Sequence, residues 1–308
     1  MNRFFVFPLV ALLCSIGLIS CMSNDFVDSN QVAADNDASI RQYITKQSNA
    51  TSYSMSASGL HYVILNPTPT SKLPSVGEEV TFSYVLYNLA DQALDSSKAS
   101  QLPSFTFGLN VLLPGLQEGL SYMRVGETAR LLIPSHLAYG SQGQTSPPVA
   151  GNTPIRLDVK LVSSLTEDQQ ITNYLSSTAL TSSLSLTAPP TAVQTPTGLR
   201  IIKTVTNPTG ASITAGQSVT LNYSGLGLRS LTPFDKVTDG SFSFVVGRDQ
   251  FIAGFTEGVL QMRVGEKATI IFPSSLGYGT QGSRNASGQF VILPYSPLRF
   301  DISVLGAK

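Results

Sequence analysis

Four residues could act as soft metal ligands or imidazole bases: Cys14, Cys21, His61 and His136. Both cysteines lie at the extreme N-terminus, so the folded part has no disulfide framework and no cysteine-based zinc site. The two histidines are far apart and neither has ligand spacing around it. That argues against structural metal and against imidazole-driven nucleophilic catalysis. Gly225-Leu226-Gly227 is too short for a dinucleotide-binding loop, and no Walker or hydrolase-elbow motif occurs. The chain offers aromatic rings instead, with 15 Phe and 11 Tyr but no Trp. These residue types point toward aromatic-lined binding more than toward metal or imidazole chemistry.

A length of 308 residues suits two domains of ordinary size. Charged residues make up 12%, about half the usual ~25%, and Ser and Thr fill the polar positions. Lys and Arg (19) balance Asp and Glu (19). A nucleic-acid binder draws most of its affinity from a cationic face, so the balance argues against that class.

The elements that must position the rings come in two copies. Gly59-Leu60 recurs as Gly198-Leu199, and Met123-Arg124-Val125-Gly126-Glu127 recurs as Met262-Arg263-Val264-Gly265-Glu266, both 139 residues on. Tyr84, Gly115 and Tyr139-Gly140 match Tyr223, Gly254 and Tyr278-Gly279 at the same offset. Leu157-Asp158 matches Phe300-Asp301 at 143, so the second copy has four extra residues before that point. Each copy has a leader with helical spacing after an acidic start, Asp37 to Ile44 and Asp168 to Leu175. Residues 176–197, rich in Ser, Thr and Pro, read as an interdomain linker.

Short apolar runs bounded by Gly and Pro predict strands at Val80–Leu86, Thr128–Ile133 and Ile155–Val162. The second copy repeats them at Val219–Tyr223, Ser241–Val246, Ala268–Phe272 and Leu298–Leu305. One short helix fits each copy, Gly115–Met123 and Gly254–Met262, with Phe255, Val259 and Met262 on one face. The expected class is α+β: two domains of about 110 residues, each a curved antiparallel sheet around one short helix.

The order of residues in the second copy resembles the FKBP-type peptidyl-prolyl isomerases. The resemblance is carried by Gly198-Leu199, the Val219–Tyr223 strand, Phe234-Asp235, Phe242-Ser243-Phe244 and Phe251-Ile252-Ala253-Gly254-Phe255. It continues through Glu257-Gly258, Met262 to Glu266, Pro273, Tyr278-Gly279 and Phe300-Asp301. It implies catalysis of cis/trans interconversion of the bond before proline. That reaction needs little chemistry, because a water-poor aromatic cup disfavours the planar, more polar amide relative to the twisted transition state.

By resemblance, Tyr223, Phe234, Asp235 and Tyr278 form the catalytic set, and Phe242, Phe251, Ile252, Phe255, Ile292 and Phe300 bind substrate. Phe255 takes the floor position, where the family commonly has Trp. Tyr278 is placed to donate to a substrate carbonyl, and Asp235 to accept at the rim and hold Tyr223. Phe290-Val291-Ile292-Leu293 resembles the loop that overhangs the family's pocket. The partners implied are proline-containing polypeptides and macrolide inhibitors, with no cofactor.

The first copy carries a thinner version. Leu94, Pro103, Leu112, Leu116 and Leu157 stand where the second has Phe234, Phe242, Phe251, Phe255 and Phe300. Tyr84, Asp95 and Tyr139 remain as its weak equivalents. Activity is therefore expected mainly in the second domain, and the alternative is a non-catalytic peptide-binding or chaperone module on the same scaffold.

The N-terminus reads as an address. Arg3 precedes an apolar run, Phe4–Ile19, which contains Pro8 and is shorter than the roughly 20 residues that span a bilayer. Leu18-Ile19-Ser20-Cys21 resembles a bacterial lipobox, with Cys21 the residue acylated. The expected division is a signal peptide at 1–20, a tether and leader at 21–50 and domain 1 at 51–165. A leader and linker at 166–197 then precede domain 2 at 198–308. The expected location is the cell envelope, anchored by lipid at the outer membrane on either face. The expected role there is assisting the folding of extracytoplasmic proteins.

Overall fold

A computed structural model describes residues 28–48, 52–228 and 230–308. The lipobox and Cys21 lie outside the described residues. No helix among the described residues is long and apolar enough to cross a membrane.

The first copy opens with helix α1 (Ser29–Thr45). Strands β1 (Ser54–Met55), β2 (His61–Ile64), β3 (Glu79–Tyr87), β4 (Ala93–Ser96) and β5 (Ser104–Thr106) follow. Helix α2 (Pro114–Ser121), β6 (Thr128–Ile133) and β7 (Ile155–Leu165) complete it. The second copy has α3 (Glu167–Leu175), α4 (Thr178–Ser183), β8 (Val193–Gln194), β9 (Arg200–Val205), β10 (Ser218–Gly227) and β11 (Asp235–Val245). Then come α5 (Ala253–Leu260), β12 (Lys267–Phe272), the hairpin β13 (Ser283–Arg284) and β14 (Phe290–Ile292), and β15 (Leu298–Ala307).

Both sheets are antiparallel and share one strand order. The first runs β1-β2-β6-β7-β3-β4 with β5 also on β3, and the second runs β8-β9-β12-β15-β10-β11. Strand β11 thus takes the place of β4 and β5 together. The likeness extends to a register shift after Thr81 in the β3–β7 pair and after Thr220 in β10–β15. Such a bulge turns the strand and re-aims the side chains beyond it, here Tyr84 and Tyr223.

Helices α2 and α5 lie on the inner face and come very close to it. A Cβ on Gly119 would stand 2.3 Å from Leu131 Cδ1, and one on Gly258 would stand 2.5 Å from Ile270 Cδ1. Glycine one turn apart, at 115/119 and 254/258, is what lets each helix settle on the sheet. Phe255, Val259 and Met262 are all buried, as their spacing requires, although the helix itself stops at Leu260.

The outer face is covered as well, which explains the unbroken apolar runs in β6 and β12. Leu131 and Ile133 pack inward while Leu132 meets Ile40 and Tyr43 of α1. Ile270 and Phe272 pack inward while Ile271 meets Ile171 of α3 and Leu180 of α4. A strand buried on both faces loses the alternation that marks a half-exposed one.

The leaders therefore belong to their sheets. Helix α1 starts at Ser29, well before the acidic start at Asp37, because Asp28 caps it by accepting from Asn30 N at 2.9 Å. Helix α3 begins with a capping box between Thr166 and Gln169. Buried arginines anchor both: Arg156 donates to the Tyr43 hydroxyl, and Arg299 to the Tyr174 hydroxyl, each at 2.8 Å.

Residues 176–197, which composition marks as linker, are not all extended. Ser177 caps α4, whose Leu180 is fully buried, and Leu184 and Ala192 pack against the same outer cluster. A single buried leucine among Ser and Thr suffices because the neighbouring surface is already apolar.

Candidate functional site

The inner face of the second sheet gathers the rings. Strand β10 supplies Tyr223, and Phe234 follows the turn that closes when its N–H donates to Gly225 O at 2.9 Å. A Cβ on Gly225 would stand 2.7 Å from Phe300 Cε1 and 2.8 Å from Phe234 Cζ, so glycine lets these two rings close over the strand. Strand β11 supplies Phe242, the entry to α5 supplies Phe251 and Ile252, and the first turn of α5 supplies Phe255. Phe300 comes from β15, and Tyr278 follows a 3-10 turn at Ser274–Leu276.

Phe255 is the hub, with ring centroids 5.6 Å from Tyr223, 5.2 Å from Phe300 and 6.3 Å from Phe242. Tyr223 meets Phe242 edge-on at 5.0 Å, and Phe234 meets Phe300 at 5.7 Å. These edge-to-face pairs hold the rings apart at fixed angles rather than collapsing them. Phe255 and Phe300 are buried, while Tyr223, Phe234, Phe242, Ile252 and Tyr278 are half-buried and pack against the same core. Phe251 stands at the margin, 42% exposed, against Phe242 and Phe244. Ile292 is buried in the core beneath the hairpin, whereas its neighbours Phe290, Val291 and Leu293 are exposed. Phe290 carries the Arg284 guanidinium 3.5 Å over its ring.

Two polar groups face this surface. The Tyr223 hydroxyl donates to Asp235 Oδ2 at 2.6 Å. The Tyr278 hydroxyl makes no hydrogen bond to the protein among the described residues, although burial and then the nearby Asp235 charge raise its pKa. The same two causes, with the Asp235 hydrogen bond second, raise that of Tyr223. Both tyrosines are thereby kept as neutral donors. The result is a cluster of aromatic rings with a fixed acceptor and an uncommitted hydroxyl beside it, groups of the kind that hold a small ring and bind a carbonyl.

In the first copy the Tyr84 hydroxyl donates to Asp95 Oδ2 at 2.7 Å, and burial followed by that bond pushes the Tyr84 pKa up to about 12. Tyr139 is half-buried, and its pKa is raised by burial. Leu94, Leu112, Leu116 and Leu157 fill the aromatic positions and pack into that core. Among the described residues Tyr84 keeps one ring partner, Phe82 at 6.1 Å. The overhang is shorter, with a Gln144–Val149 bridge in place of the β13–β14 hairpin.

The resemblance did not single out two groups that matter. Phe272 stacks under Phe300 at 5.8 Å and 9°, which fixes that ring from below. Glu167, on the leader helix, accepts from Ser274 N at 2.5 Å and Ser274 Oγ at 2.7 Å, just ahead of Tyr278. Sequence holds no signal for the second, since 107 residues separate the partners.

Comparison with known proteins adds to this geometry. The family profile described as FKBP-type peptidyl-prolyl cis-trans isomerase matches residues 70–162 and 210–305. FK506-binding protein 1 of Gibberella zeae is 38% identical over 105 residues, covering 32% of this chain and 90% of that protein. Human peptidyl-prolyl cis-trans isomerase FKBP9 is 26% identical over 220 residues, covering 70% of this chain and 33% of that protein. The chain thus spans about a third of the length of the human, mouse, rat and bovine relatives it matches. The crystal structure of the three FKBP domains of wheat FKBP73 aligns over 82% of this chain and 96% of that one, at 19% identity and a TM-score of 0.38. With the profile matching twice, in the two segments that carry the duplicated sheet, the chain belongs to the FKBP-type peptidyl-prolyl cis-trans isomerase family.

Proposed function

We propose that this protein is a peptidyl-prolyl cis-trans isomerase that assists the folding of extracytoplasmic proteins, with catalysis mainly in the second domain. The observation that carries the reading is the ring cluster around Phe255, with the uncommitted Tyr278 hydroxyl beside it. Rotation about the bond before proline must overcome the ~18–20 kcal/mol of amide resonance. The proline ring sits among Tyr223, Phe242, Phe255 and Phe300, where little water accompanies it. The twisted amide has less charge separation than the planar one, so this surface favours the transition state. Tyr278 donates to a substrate carbonyl and fixes the peptide, while Asp235 holds the Tyr223 ring in place. No bond is made or broken.

Proline-limited refolding of a reporter protein tests this with the full chain. Tyr278→Phe with Asp235→Ala is expected to remove most of the acceleration, and Tyr139→Phe with Asp95→Ala to remove little. Full activity in the first variant pair overturns the assignment. Macrolide inhibitors of the family would occupy the same surface and raise the unfolding temperature of the second domain by linkage.

The aliphatic lining of the first copy favours a peptide-binding role for that domain, with weak or no turnover. The anchor proposed at Cys21 rests on the lipobox-like sequence and places the chain in the envelope. Radiolabelled palmitate should enter the wild-type chain and not Cys21→Ser; equal labelling of both would overturn it.

A further inference from the structure

The leader helices lie outside both segments that match the family profile, yet each grips the turn that presents the site tyrosine. In the second copy Glu167, in the first turn of α3, takes both the backbone N–H and the hydroxyl of Ser274. Ser274 is buried, and its carbonyl accepts from Gly277 N and Gly279 N, each at 2.8 Å. Those two amides flank Tyr278. One carboxylate on the outer helix is thus connected, through a single serine, to the backbone on both sides of the tyrosine.

The first copy repeats the arrangement with a different residue. Asn36, at the matching position of α1, accepts from Ser135 N at 2.7 Å and donates to Asn152 O at 2.9 Å. Ser135 O in turn accepts from Ala138 N at 2.9 Å and Gly140 N at 2.8 Å, on either side of Tyr139. Two residue types that perform one task at one position mark a feature of the repeat and not an accident of one loop. The chemistry differs in one respect. Asn36 spends its amide on the returning arm of the overhang, whereas Glu167 puts both oxygens on the serine. Charge-assisted bonds to a buried N–H are the stronger kind, so the clamp is firmer in the copy whose ring cluster is complete.

We infer that Glu167 is a positioning residue for Tyr278, holding the 3-10 turn so that the hydroxyl points at the bound peptide. This rests on the isomerase reading of the second domain. A misplacement of about 1 Å is enough to weaken the hydrogen bond that Tyr278 makes to the substrate carbonyl and to slow the reaction.

A double-mutant cycle in the full chain tests it. Glu167→Ala is expected to lower kcat/KM about tenfold, mostly through kcat, while Glu167→Gln, which keeps an acceptor for Ser274 N, stays within about twofold of wild type. In a Tyr278→Phe background Glu167→Ala should cost less than about twofold, because the group it positions is gone. Amide exchange at Gly277 and Gly279 should quicken about tenfold in Glu167→Ala and not in Glu167→Gln. Equal losses in the two backgrounds, or exchange unchanged by Glu167→Ala, overturn the inference. A wild-type chain with no isomerase activity overturns the parent reading and this role together, whereas an active chain indifferent to Glu167→Ala overturns this role alone.

Discussion

Tyr223 on β10 and Asp235 at the start of β11 lie twelve residues apart and diagonally across the strand pair, joined by a 2.6 Å hydrogen bond from hydroxyl to Oδ2. Tyr84 and Asp95 repeat the bond in a copy that has lost the surrounding rings. The bond is therefore part of the scaffold, and in the proposed reaction its effect depends on the rings it steadies. Asp235→Ala should lower kcat/KM of the second domain about tenfold. The bond is exposed, so its loss should cost at most about 1 kcal/mol of stability. Refolding kinetics together with urea melts check both halves, and a large fall in stability would assign Asp235 to the fold instead.

Phe255 touches the rings of Tyr223, Phe242, Phe244, Phe251 and Phe300. Phe255→Leu copies the first domain's Leu116. It removes the hub and leaves a small void, at a cost of about 1–2 kcal/mol. Activity should fall more than stability does, because the floor under the proline flattens. Unchanged kcat/KM in Phe255→Leu would make the aromatic floor dispensable and raise the prospects of the first domain.

The pH profile should be flat between about pH 6 and 9, since no group need gain or lose a proton in the reaction. Burial first, and Asp235 second, lift the pKa of Tyr223 and Tyr278 above the ordinary value near 10. A raised folded value stabilises the protonated form. The associated stability is present below about pH 10 and is lost as pH rises through the folded value. Activity should accordingly decline only on the far alkaline side, and a bell-shaped profile centred near neutrality would point to a titrating catalyst not described here.

The outer helices make a separate stability prediction. Ile171 is fully buried against Ile202, Leu228 and Ile271, so Ile171→Ala should cost about 2–4 kcal/mol in the second unit. A fragment beginning near residue 195 lacks both α3 and α4, bares that apolar patch and should melt lower than one beginning at residue 166. Calorimetry on the two fragments checks this, and equal melting temperatures would make the leaders mere attachments.

Much of this fold is legible in the sequence, for reasons that are local. Strands such as β3 and β10 keep their alternation because one face meets the core and the other is only partly covered. Gly254 and Gly258 show where a helix must lie close to a sheet. What escapes is whatever depends on a distant partner. The length of α1 rests on a cap at Asp28, outside the apolar pattern. Helix α4 has one buried apolar residue, Leu180, and no periodicity to announce it. Sequence gives the order of the rings through resemblance, but it does not show that Phe251 stands at the margin, that Ile292 lies beneath its hairpin, or that Glu167 reaches Ser274.

The covalent path between the two units has a mechanical consequence. Strand β7 ends at Leu165 and α3 begins at Glu167, with Thr166 alone between them. The exposed stretch at 185–189 is therefore a loop whose two ends both rest on the second sheet. A protease that nicks it would divide the polypeptide without parting the units. The severed sheet would remain held by α3 and α4, which stay joined to the first unit, and the two pieces should migrate together until a denaturant separates them.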